Sequence, residues 1–109
     1  MFIDDKTRVR HMLDVAEEAG GFIKGKDLRD IVGDRALAFA LVKEIEIVGE
    51  AASKISEEFR GKHPEISWQD IIAMRNRLIH AYCDIDCEVV WDTVKNELPK
   101  LARKLKEAC

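Results

Sequence analysis

Apolar residues recur along most of this chain every three or four positions, the period of an α-helix packed on one side. Val9, Met12, Leu13, Ala16 and Ala19 outline a first helix, capped by Asp4 or Asp5 and expected to stop at Gly20-Gly21. The mixed stretch from Gly21 to Gly33 suits a loop with one helical turn around Lys26 to Val32. From Asp34 to Ile55, Leu37, Leu41, Ile45, Val48, Ala52 and Ile55 make one stripe, while Phe39, Ala40, Val42, Ile47 and Ala51 load a second side. A helix apolar on two sides belongs at the centre of a bundle. Ser56 reads as the N-cap of a short helix ending near Gly61, and Pro64 prevents its continuation. Ser67-Trp68-Gln69-Asp70 has the look of a capping box and opens a helix expected to run to about Tyr82. After a turn at Asp84-Ile85-Asp86, the positions Cys87, Trp91, Val94, Leu98, Leu101, Leu105 and Ala108 mark a seam that asks for another helix along its length. Pro99 interrupts that seam, either as a kink or in the first turn of a new helix.

The pattern predicts an all-α fold, an antiparallel bundle of four to five helices in a single domain over residues 1–109. Composition agrees: 47% of residues are apolar and 36% charged, enough for one core, with only 2 Pro and 6% aromatic residues. A chain of 109 residues has no room for a separate cofactor domain, so chemistry that needs a large cleft must borrow one from a partner. The formal net charge of −3 argues against indiscriminate coating of nucleic acid and leaves room for a local basic site. Cys83, Cys87 and Cys109 are odd in number and lack Cys-x-x-Cys spacing, which suits free thiols in a reducing cytoplasm. With no apolar run of membrane-spanning length and a charged N-terminus, a soluble, unprocessed protein is expected.

One charge interrupts the apolar stripe of the Ser67 to Tyr82 helix. Trp68, Ile71, Ile72, Leu78, Ile79 and Tyr82 step along one side, and Arg75 occupies the slot between them. A guanidinium cannot shed its charge, so in such a slot it must meet a carboxylate, a carbonyl, a phosphate or water. Two accounts are open. Arg75 pairs with an acid of the central helix, Glu46 or Glu50, while His80 caps its own helix; or Arg75 and His80 act on a phosphodiester, the imidazole moving a proton and the guanidinium neutralising developing charge. Asn76 and Arg77 form a polar edge leading to the same imidazole. Residues five apart on a helix point about 140° from one another. Convergence of Arg75 and His80 therefore needs the helix to end near His80, or a second copy facing the first, for which the seam and the central helix offer surfaces. His11, His63 and His80 are scattered without metal-ligand spacing, and no Gly-rich phosphate loop is present, so neither metal nor cofactor is expected. The basic run Lys95, Lys100, Arg103, Lys104 and Lys106 reads as a solvated helix face or as a guide for RNA, and Trp68 and Trp91 as core anchors.

The segment Arg75-Asn76-Arg77-Leu78-Ile79-His80-Ala81-Tyr82 resembles the Arg-x4-His-x-Tyr signature of the HepT-like branch of the HEPN superfamily, small helical proteins proposed to be metal-independent ribonucleases. The likeness extends to Glu46–Ala52, to His63–Trp68, and to Val89–Val94 with Leu98-Pro99, in register over roughly residues 4 to 108. The resemblance implies a homodimer in which Arg75 and His80 of the two protomers line a composite RNase site, with Asn76 and Arg77 supporting the RNA phosphate. It also implies a toxin paired with a small MntA-like nucleotidyltransferase antitoxin, which silences it by transferring AMP to Tyr82. Cys83 departs from the aromatic residue that often follows this tyrosine, which removes one stacking contact from the expectation. The alternative is a non-catalytic HEPN module that binds a nucleotide or engages the nucleotidyltransferase without cutting RNA.

Overall fold

The computed structural model describes residues 4–80 and 84–108, His80 by its backbone alone. Asp4 accepts a hydrogen bond from the Thr7 amide and starts α1 (Asp5–Phe22). This helix runs through Gly20-Gly21 instead of stopping there, because a glycine pair on an exposed flank costs helix propensity without supplying a turn. The turn comes at Gly25, whose φ of 76° an L side chain would resist. A reciprocal capping box between Asp27 and Asp30 fixes α2 (Leu28–Val32). Asp34 caps α3 (Arg35–Ser53), the two-sided apolar helix, and Ser56 caps α4 (Glu57–Lys62). Asp5 accepts from both the amide and the hydroxyl of Ser56, pinning the start of α1 to the start of α4. Arg60 donates to the Ala52 and Ser53 carbonyls, closing the C-terminal end of α3.

Helix α3 is central, with α1 on one side and α5 (Trp68–Met74) on another. The expected capping box at Ser67 is absent: Ser67 makes no side-chain cap, and Trp68 instead anchors the helix start by donating its indole N–H to the His63 carbonyl at 3.1 Å. The last part of the chain forms α6 (Cys87–Asp92), a π-helical segment over Thr93–Glu97 and α7 (Leu98–Ala108). Pro99 therefore lies in the first turn of α7, and the wider π turn just before it accommodates the ring and the missing N–H.

The apolar seam of this last stretch does not wait for a second chain. Val94, Leu98, Leu101, Leu105 and Ala108 are buried within the monomer, where α7 packs along α1, while Cys87 and Trp91 at the start of the seam are half-buried. From Val94 onward the seam is thereby withdrawn as a dimer surface, since apolar area already removed from water yields nothing further on association. The all-α architecture holds, with one two-residue ladder added between Ile79–His80 and Asp84–Ile85. Among the described residues no helix is long and apolar enough to cross a membrane.

Candidate functional site

The helix carrying the signature ends earlier than its periodicity predicts. α5 stops at Met74, Arg75–Arg77 form a single 3-10 turn, and β1 (Ile79–His80) pairs antiparallel with β2 (Asp84–Ile85), Ile79 opposite Ile85 and His80 opposite Asp84. No proline or glycine breaks the helix here. Instead Leu78 is driven fully into the core, and its carbonyl accepts from the Asp86 amide at 2.8 Å, so the backbone finds its partners across the ladder instead of along the helix. Tyr82, together with Ala81 and Cys83, lies outside the described residues.

The apolar slot assigned to Arg75 belongs to its neighbour. Met74 is 5% exposed and continues the row Trp68, Ile71, Met74, Leu78. Spacings of three and four both fit between Ile71 and Leu78, so the pattern alone admits either residue. Arg75, about 100° further around, points to the edge of α3 with its side chain 39% exposed.

Two features of α3 fix the guanidinium. Glu50 Oε2 accepts from Arg75 Nη1 at 3.0 Å, and Lys54 Nζ lies 3.4 Å from the other carboxylate oxygen. The Arg75 hydrogen bond first, and Lys54 second, hold the Glu50 carboxyl below the usual carboxylate range. Gly49, one residue earlier, lets the helices touch: a Cβ there would stand 3.3 Å from the Ile71 carbonyl oxygen and 3.8 Å from Arg75 Cδ. Gly49→Leu is expected to push α5 off α3, lowering stability by about 1–3 kcal/mol and displacing Arg75. Urea unfolding checks this, and an unchanged midpoint would show that the close approach is dispensable.

Arg75 opens onto a groove of about 390 Å³ between α1 and α3, whose walls include Arg8, His11, Lys43 and Lys54. Successive residues of a 3-10 turn lie about 120° apart. Accordingly Arg77 lines different hollows, towards α6 and α7 among Asp70, Asp92 and Glu97, and does not converge with Arg75 within one chain. Asn76 is exposed between them. The earlier objection, that Arg75 and His80 diverge on a shared helix, no longer applies, because His80 sits on extended backbone past the helix end. Of the two acids the sequence offered as a partner for Arg75, the structure selects Glu50 over Glu46, whereas Gly49 carries no signature beyond its place in the block Glu46–Ala52. Among the described residues no group of three His, Cys, Asp or Glu is arranged to hold a metal ion.

A family model described as Ribonuclease HepT-like matches residues 12–108. An inferred RNase of Caldanaerobacter subterraneus is 36% identical over 99 residues, covering 91% of this chain and 88% of that protein. A probable ribonuclease HepT of Thermococcus cleftensis is 41% identical over 78 residues, 72% of this chain and 71% of its own. An inferred RNase of Methanocaldococcus jannaschii is 31% identical over 103 residues, 94% of either chain. No solved structure matches at a comparable level.

Proposed function

Because the chain belongs to the Ribonuclease HepT-like family, we propose that it cleaves RNA, with Arg75 binding the scissile phosphate and His80 moving the proton. The observation that carries this reading is a guanidinium that α3 holds firmly by one nitrogen while leaving it open to a basic groove. Such a group is pre-oriented for an anion and loses little freedom on meeting one. The reaction proposed is attack of the RNA 2′-hydroxyl on the adjacent phosphorus. The nucleophile gives up its proton, the bond to the 5′ oxygen breaks, that oxygen is protonated, and a cyclic phosphate remains. No metal is required for this sequence; His80 takes or gives the proton and Arg75 neutralises the phosphorane oxygens.

The site is completed in this reading by a homodimer, the partner's Arg75 and His80 facing the first pair across a two-fold axis, with Asn76 and Arg77 contacting flanking phosphates. The physiological setting is a toxin held in check by an MntA-like nucleotidyltransferase that transfers AMP to Tyr82. A phosphate placed two residues from His80 fills and repels where RNA must sit.

One observation favours a different reading. The Glu50 ion pair satisfies Arg75 inside its own chain, as a purely structural arginine requires. Incubating RNA with wild type and with His80→Ala in EDTA separates the two. Cleavage by wild type alone supports the nuclease, whereas equal products from both, or products only after metal is added, reject it. Expression in cells gives a second reading: wild type should arrest growth and His80→Ala should not, while harmless expression of both favours a non-catalytic module.

A further inference from the structure

The groove beside Arg75 carries charge of the opposite sign to the chain as a whole. Against a formal net charge of −3, its walls present, among the described residues, the permanent cations Arg8, Lys43, Lys54 and Arg75 and two carboxylates, Glu46 and Glu50. One of those, Glu50, is already neutralised by Arg75 and Lys54. The cations come from two elements. Arg8 and His11 stand one turn apart on α1, and Lys43 and Lys54 stand at the two ends of one α3 face, separated by three turns, about 16 Å at the helical rise. Arg75 joins them at the Glu50 level of that face. Among the described residues no Phe, Tyr or Trp lines the groove, and His11 is its one aromatic ring, so its recognition chemistry is dominated by charge.

The other basic run is differently placed. On α7, Lys106 is 3.5 Å from Glu17 and Lys100 is 3.9 Å from Glu97, so both are engaged with nearby acids on the surface.

We infer that the α1–α3 groove is the track for the RNA backbone flanking the scissile bond, with Arg8 and Lys43 as phosphate contacts that lead the strand to Arg75. This rests on the ribonuclease reading and adds to it which face the substrate crosses and how it is recognised. Recognition through phosphates makes the track indifferent to base sequence and strongly dependent on salt.

The test is equilibrium binding of a single-stranded RNA oligonucleotide to the full chain between 50 and 200 mM salt, roughly the range over which such contacts weaken most visibly. Wild type is compared with the double variant Arg8→Gln, Lys43→Gln and with Lys100→Gln, Lys104→Gln on α7. Each phosphate contact on a single strand adds about 0.7 to the slope of log K against log salt. The groove variant should therefore lose about 1.4 from that slope and bind about tenfold more weakly at the low-salt end, while the α7 variant follows wild type. An unchanged slope in the groove variant, or a loss confined to the α7 variant, overturns the track while wild-type cleavage keeps the nuclease standing. A wild type that neither binds nor cuts RNA overturns both. A groove variant that has lost its helical circular-dichroism signal is replaced by Lys43→Gln alone, expected to lose about 0.7 in slope, and the same criteria apply.

Discussion

Arg75→Ala should leave the protein folded and lower RNA cleavage by about 10²- to 10³-fold, the usual consequence of removing one donor from a transition-state anion site. Stability should scarcely move. The side chain is 39% exposed, its ion pair with Glu50 is open to solvent, and exposed pairs contribute about 0–1 kcal/mol. His80→Ala should cost about 10²- to 10⁴-fold as the loss of a general acid or base. The pair is measured by RNA cleavage under saturating substrate alongside urea unfolding. A structural arginine makes a different forecast, cleavage intact with the same small change in stability. Arg75→Lys sharpens the contrast, because it keeps the charge and loses the planar fork: a phosphate clamp should recover only part of its rate.

The second large effect concerns a group away from the groove. Glu44 lies on α3 facing α1 and is 7% exposed. Burial first, and then the hydrogen bond and charge of Glu18, raise its pKa from 4.5 to about 7. The native state therefore keeps a proton that the unfolded chain has released. Stability from this site is fully present below pH 4.5 and is lost as pH rises towards about 7, beyond which it stays at its lower value. At 1.36 kcal/mol per pKa unit the loss is about 3 kcal/mol at most. Glu44→Gln, which imitates the protonated acid, should be more stable than wild type by about 2–3 kcal/mol at pH 8 and about equal to it at pH 4.5. Urea midpoints at the two pH values decide the matter, the difference between the two proteins cancelling whatever His11 and His63 contribute. A wild type no less stable than Glu44→Gln at pH 8 would mean that Glu18 and Glu44 are ionised together without cost.

How far the chain's pattern carries is clearest by comparing α3 with the signature segment. Leu41, Ile45, Val48 and Ala52 are so regularly placed, and Asp34 so well suited to cap, that the helix was legible to within a few residues at either end. The segment after Trp68 is equally periodic, yet its helix is broken at Met74. Periodicity records which positions are apolar and cannot tell whether Leu78 reaches the core from a helix or from the strand side of a turn. The same limit moved Arg75 out of the slot that Met74 fills. It also left open for a second subunit a seam whose stretch from Val94 to Ala108 α1 already covers.

The sequence by itself determined the helical class, the caps at Asp4 and Ser56, and which residues are candidates for the chemistry, because periodicity, Asp and Ser caps and the Arg-x4-His spacing are all local properties of the chain. Only the tertiary structure decided where those residues point. The sequence offered Glu46 or Glu50 as the acid for Arg75, and only packing chose Glu50, 25 positions away, and set the bare Cα of Gly49 beside the same arginine. Contacts between distant positions are selected by how elements pack: Gly49 lets α3 and α5 close to the distance at which Glu50 can hold the guanidinium beside the α1–α3 groove.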